Sequence, residues 1–107
     1  MGRQLRIEYP DALYHVMSHG NGLQWIYQQP DHLNIFKYFI KDIVIKYKFK
    51  IHAIVLMQNH YHILLETPLG NLSKGMKKFN QEFAKMFNKL KGRKGSVFKD
   101  RYKAILK

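Results

Sequence analysis

The chain has 107 residues, with 19 Lys and Arg against 7 Asp and Glu, a formal net charge of +12, 46% apolar residues and no cysteine. That length bounds it to one domain, residues 1–107, close to the size at which hydrophobic cores become thin. The missing thiols exclude a disulfide framework and a thiolate zinc centre, leaving histidine, carboxylate and amide as metal ligands, and no apolar run is long enough for a signal peptide or a membrane span. A soluble cytoplasmic protein without a membrane partner is expected.

Residues 12–18 alternate Leu13, His15 and Met17 with Tyr14, Val16 and Ser18, the period of a strand, and Gly20-Asn21-Gly22 breaks the pattern. Pro30-Asp31 then offers a helix start. Phe36, Phe39, Ile40, Ile43 and Tyr47 recur at three- and four-residue steps while Lys37, Lys41 and Lys48 lie off that stripe, which predicts an amphipathic helix to about residue 48. Residues 51–57 form a nearly continuous apolar run and are expected to be a central strand covered on both faces. After the polar turn Gln58-Asn59, a third strand is predicted from His60 to Thr67, with His60, His62, Leu64 and Glu66 on one face and Tyr61, Ile63 and Leu65 on the other.

Pro68-Leu69-Gly70 ends that strand, and Asn71 suits the N-cap of a second helix with the stripe Leu72, Met76, Phe79, Phe83, Phe87 and Leu90, stopped by Gly92. A basic glycine loop, Gly92-Arg93-Lys94-Gly95, leads to a last extended piece from Arg101 to Leu106. The order strand, helix, strand, strand, helix, strand is that of an α+β, ferredoxin-like split βαβ fold, an antiparallel sheet with both helices packed on one face. Many functions share this fold, so function has to be argued from the site.

Two features carry chemistry. Residues 74–103 hold eleven basic residues and two acids, Glu82 and Asp100, a concentration of positive charge suited to a polyanion, although a face solvated for solubility has the same composition. His60-Tyr61-His62 puts two imidazoles side by side on one face of a strand, roughly 6 to 7 Å apart, a spacing that suits one shared divalent ion. Two strand histidines on a solvated face are an equal reading of the pair taken alone, because ligand count and geometry define a metal site.

The surroundings of the pair resemble the IS200-like and REP-associated transposases, the single-tyrosine members of the HUH endonucleases, named for a His-hydrophobic-His motif. The matching stretches are Tyr14-His15-Val16-Met17-Ser18-His19-Gly20-Asn21, residues 52–68 around Gln58-Asn59-His60-Tyr61-His62, Asn71-Leu72-Ser73, and residues 95–106 around Phe98-Lys99-Asp100-Arg101-Tyr102. The resemblance implies that His60 and His62 bind Mg²⁺ or Mn²⁺ and that the partner is single-stranded DNA with a neighbouring hairpin. It also implies that a tyrosine attacks the scissile phosphate and becomes joined to the 5′ end, so that strands are nicked and rejoined.

The family's nucleophile sits on a helix after the last strand, in a Tyr-x-x-x-Asn-Pro pattern, and no such segment precedes Lys107. No catalytic tyrosine is therefore assigned within residues 1–107; Tyr102, nearest the end of the fold, suits packing or DNA contact better than nucleophilic attack. The expectation is either a strand-transferring enzyme whose tyrosine helix lies elsewhere, or a catalytically inactive DNA-binding module of the same descent. An RNA-binding domain is a weaker alternative, since the aromatic-glycine signature of RNA-recognition sheets is missing. Gln58 and His19 replace a usual proline and a common arginine. Lys74, Lys77, Lys78, Lys85, Arg93, Lys94, Arg101 and His19 are the expected DNA contacts, and apolar sheet surface around Leu13, His15 and Leu64 is the expected seat of a homodimer.

Overall fold

The computed structural model describes residues 8–21, 26, 27 and 29–107; Gly22, assigned above to the turn after the first strand, lies outside them. The elements follow the predicted order: β1 (Ala12–His19), α1 (Pro30–Tyr47), β2 (Lys50–Leu56), β3 (His60–Thr67), α2 (Leu72–Lys91) and β4 (Lys103–Leu106). The strands form one antiparallel sheet in the order β2-β3-β1-β4. This is the ferredoxin-like arrangement expected.

The pleat divides β1 and β3 as their alternation predicts. Tyr14, Val16 and Ser18 from β1, and Tyr61, Ile63 and Leu65 from β3, are buried beneath the helices. Tyr61 shows that both helices cover the same face: its ring packs edge-on against Phe36 of α1 at 5.3 Å and Phe79 of α2 at 5.6 Å between centroids. Its hydroxyl donates to Asn80 Oδ1 at 2.7 Å. Edge-to-face contacts add about 0.5–1.5 kcal/mol to the gain from burying the rings, and they hold β3 in register. A one-residue slip would put Tyr61 on the open face and the flanking histidines in the core.

α1 buries Phe36, Ile40 and Ile43 from its predicted stripe, together with His32, which the stripe did not include. It ends at Lys48, whose left-handed backbone (φ 61) turns the chain into β2. α2 buries Leu72, Met76, Phe79, Phe83 and Phe87, while Leu90 at the end of the stripe is exposed. Gly92 stops the helix in the left-handed region (φ 62), where its N–H reaches back to Lys89 O. Asn71 occupies the N-cap position, but its side-chain amide donates to Tyr47 O at 3.0 Å, tying the start of α2 to the end of α1 rather than capping α2.

β2 corrects the expectation of a central strand covered on both faces. Among the described residues it is an edge strand, paired to β3 alone, and five of its seven residues are exposed. A continuous apolar run does not distinguish a central strand from an edge strand of a sheet with one open face. Here the half-buried central positions belong to β1 and β3.

Candidate metal and nucleic-acid site

The open face of the sheet collects histidines. His19 on β1 pairs directly with His60 on β3, and Met17 with His62. The period of two then places His15, Met17 and His19 beside His60, His62 and Leu64 on the face opposite the helices. His60 and His62 have ring centroids 4.9 Å apart with planes at 81°. His19 stacks on His60 at 4.9 Å, and His15 lies edge to edge with His62, centroids 5.0 Å apart. Each member of the pair also makes a hydrogen bond through Nδ1, His60 donating to Asn59 Oδ1 at 2.8 Å and His62 joined to His15 Nε2 at 2.8 Å.

This crowding sets the charge state. Burial, then the neighbouring His60, His15 and His19, pushes the His62 pKa below the usual histidine value; burial, then His19, does the same to His60. Both effects disfavour a second positive charge, so the pair is held as neutral imidazole, the form that donates a lone pair to a metal. Among the described residues, no group of three or more histidine, aspartate or glutamate side chains is placed to hold one ion. The donor set fits a divalent ion bound by two imidazoles, with its other ligands from water or a substrate oxygen.

Beside His19 and Asn59 opens a cleft of about 350 Å³ lined also by Met17, Ser18, Gly20, Lys99, Asp100, Arg101 and Lys103. Backbone hydrogen bonds build this wall: Gly20 N–H donates to Asn59 O (2.7 Å), Asn21 N–H to Val97 O (2.8 Å) and Lys99 N–H to His19 O (2.9 Å). The last two stitch the segment before β4 to the end of β1, so the cations of residues 99–103 stand beside His19, whose ring stacks on His60. A second cleft, about 530 Å³, lies on the other side of Lys99, Asp100 and Arg101 and is walled by Ser73, Lys77, Asn80 and Gln81 of α2 with Ser96, Phe98 and Tyr102.

The predicted DNA contacts are thereby sorted. His19 and Arg101 border the first cleft, and Arg101 with Lys77 the second. Lys74 and Lys94 are exposed, the former on α2, in the helical layer across the sheet from the histidines, the latter in the loop after it. Lys78 and Lys85, also on α2, share Glu82, each at 3.6 Å. Arg93 donates to Asn88 Oδ1 at 2.7 Å and to Ser96 O at 3.2 Å, which braces the glycine loop. Lys99, Lys103, Asn59 and His15 were missed as site residues. His15 was readable from the alternation, which places it on the open face, but its contact with His62 depends on strand register.

None of the tyrosines on the described strands faces the pair. Tyr14 and Tyr61 point into the core, and Tyr102 is buried where the last segment enters β4. Burial also raises the pKa of Tyr14 and Tyr61 above the ordinary phenol value, the opposite of activation.

An antiparallel ferredoxin-like sheet with a histidine pair on its open face is the arrangement that the resemblance to the HUH endonucleases implies. The chain belongs to the IS200-like transposase family, whose model, Transposase IS200 like, matches residues 9–106. Two solved structures are similar. One is a REP-associated tyrosine transposase bound to a REP hairpin, with TM-score 0.79 and 15% identity, covering 100% of this chain and 62% of that one. The other is described as a transposase from Deinococcus radiodurans R1, with TM-score 0.71 and 15% identity, covering 96% of this chain and 84% of that one. The present chain thus spans about three fifths of the first structure's length. No curated protein matches it.

Proposed function

We propose that this domain binds single-stranded DNA beside a hairpin and presents the scissile phosphate to the His60–His62 pair, as part of a transposase that nicks and rejoins strands through a 5′-phosphotyrosine. The observation that carries the reading is the approach of the His60–His62 pair, through His19 stacked on His60, to a cleft walled by Lys99, Arg101 and Lys103. Support also comes from the REP hairpin bound by the structurally similar transposase. Phosphates entering the cleft would meet three permanent cations before reaching the histidines, and such contacts fix the register of a strand rather than its sequence. His60 and His62 would hold Mg²⁺ or Mn²⁺, which when bound polarises a phosphate oxygen and offsets the charge that develops in an in-line displacement. The protein side chains bind, orient and desolvate the phosphate.

Tyr14, Tyr61 and Tyr102 are buried, and the exposed Tyr9 and Tyr38 lie beside Gly70 and on α1, away from the histidines, which favours DNA binding without cleavage for residues 1–107 taken alone. The test is incubation of the chain with hairpin-containing single-stranded DNA and Mg²⁺. Tight binding without a covalent protein–DNA band is the expected result. A covalent band would assign a nucleophile to this chain, and failure to prefer the hairpin substrate over unstructured single strand would refute the substrate assignment.

The homodimer belongs to the same proposal, with its contact surface moved. Leu13 and Leu64 are half-buried, whereas Ile54, Val55 and Met57 at the β2 side are 39%, 52% and 44% exposed. An apolar strand at the edge of the sheet formed by the described residues favours pairing with a second copy. A monomer in sedimentation at high concentration would reject the dimer.

A further inference from the structure

We propose that His15 is a positioning residue for metal binding: by accepting a hydrogen bond from His62 Nδ1–H it fixes the ring tautomer that leaves His62 Nε2 free to bind a divalent ion. This rests on the metal reading of His60 and His62 and deepens it, and it is argued from the hydrogen bonds of the open face.

Asn59 Oδ1 can only accept, so the 2.8 Å bond from His60 Nδ1 places the proton on Nδ1 and leaves the lone pair on Nε2. His62 meets the same requirement only in one of its two tautomers. With the proton on Nδ1, it donates to His15 Nε2 across 2.8 Å, and Nε2 is a free donor of electrons. With the proton on Nε2, the bond to His15 runs the other way and neutral His62 has no nitrogen left for an ion. Metal-bound histidines generally donate their other ring N–H to an acceptor, and loss of such a partner typically weakens metal affinity by about 10–100-fold. Asn59 and His15 supply one acceptor each, so the two Nε2 atoms of the pair become equivalent ligands.

The fold explains how His15 reaches. It pairs with Leu64 across the β1–β3 ladder, two residues from His62 on the same face, and its ring leans along the strand to lie edge to edge with His62, centroids 5.0 Å apart and planes at 25°. This nearly coplanar contact fixes the ring plane as well as the proton. His15 does not itself complete a group of three ligands among the described residues. Its role is exerted through His62.

The experiment is histidine side-chain ¹⁵N–¹H NMR on the folded chain, first metal-free and then titrated with Mn²⁺ while broadening of the His60 and His62 signals is followed. The expected metal-free spectrum has the proton of His62 on Nδ1, and a proton on Nε2 overturns the proposal. His15→Phe keeps an aromatic ring without an acceptor and is expected to raise the Mn²⁺ concentration for half-broadening by about 10–100-fold. His15→Gln, which restores an acceptor oxygen, is expected to recover part of that loss. An unchanged titration in a His15→Phe chain with native circular dichroism also overturns it. Should His15→Phe fail to fold, the wild-type tautomer and the His15→Gln titration still decide. Absence of His60 and His62 broadening in the wild type refutes the metal reading itself, an outcome distinct from binding that ignores His15.

Discussion

Gly75 occupies the interior of α2, where glycine costs about 1 kcal/mol relative to alanine. Replacing it with alanine would therefore stabilise an isolated helix. In the folded chain the added methyl would stand 2.2 Å from Phe49 Cζ, 2.6 Å from Cε2 and 3.1 Å from Cε1. Carbon atoms attract best at about 3.5–4.0 Å, so these contacts are repulsive. Phe49 is 3% exposed and lies between the left-handed end of α1 and the start of β2, so its ring has little room to retreat. Overpacking a filled core costs about 1–3 kcal/mol, and a contact this short belongs at or above the upper end. After subtraction of the propensity gain, Gly75→Ala should destabilise the chain by about 2 kcal/mol, a fall in Tm of roughly 8–16 °C for a domain this size. Thermal and urea unfolding would measure it, and adding Phe49→Leu, which removes the ring edge, should recover about 0.5–3 kcal/mol as coupling. A Gly75→Ala chain as stable as the wild type would refute the packing argument and leave helix propensity as the dominant effect.

Other outcomes follow from the site and the core. If residues 99–103 contact phosphate, Arg101→Ala should flatten the plot of log K against log salt for single-stranded DNA by about 0.7. Lys85→Ala, removing a cation paired with Glu82 in the helical layer, should leave that slope unchanged in fluorescence anisotropy, and equal effects would refute the sorting of the cations. His32 is buried, and burial, followed by the nearby Lys91 charge and opposed by Asp31, lowers its pKa. The unfolded chain then takes up a proton at about pH 6.5 that the folded chain resists, so stability present above that pH is lost as it falls toward the lowered folded value. The Tm should drop between pH 7 and pH 5, and a His32→Leu variant with the same pH slope would refute the assignment. Tyr61→Phe removes the hydroxyl bonded to Asn80 and should cost about 1 kcal/mol while leaving the histidine face intact. Tyr61→Ala, which empties the centre of the aromatic cluster, should cost about 3–5 kcal/mol; similar unfolding curves for the two would contradict the role of the ring.

Local periodicity made most of the architecture legible. The alternation of β1 and β3, the stripes of α1 and α2, and Gly92 as a helix stop each follow from interactions within a few residues, and the element order they produce is that of the ferredoxin-like fold. His60-Tyr61-His62 is readable for the same reason: strand geometry alone places the two imidazoles together and sends Tyr61 to the other face. The family motifs added the chemistry to look for, and the match over residues 9–106 bears out the family.

Contacts between distant segments were not legible. A run such as Ile51 to Met57 has no local mark of its place in a sheet, because edge or centre is decided by which strands pair beside it. Net charge likewise showed many cations but not which of them share a cleft with His19; that depended on backbone hydrogen bonds joining His19 and Asn21 to residues 97–99. Nothing local marks Gly75 as a close contact; the Phe49 ring packed against it comes from a distant part of the chain. By itself the sequence determined the elements, the family and the histidine pair, since these are encoded in short-range pattern. The edge position of β2, the cationic cleft and the bond from His15 to His62 were decided only by tertiary structure, because each requires a strand register or a pairing that no neighbouring residue specifies.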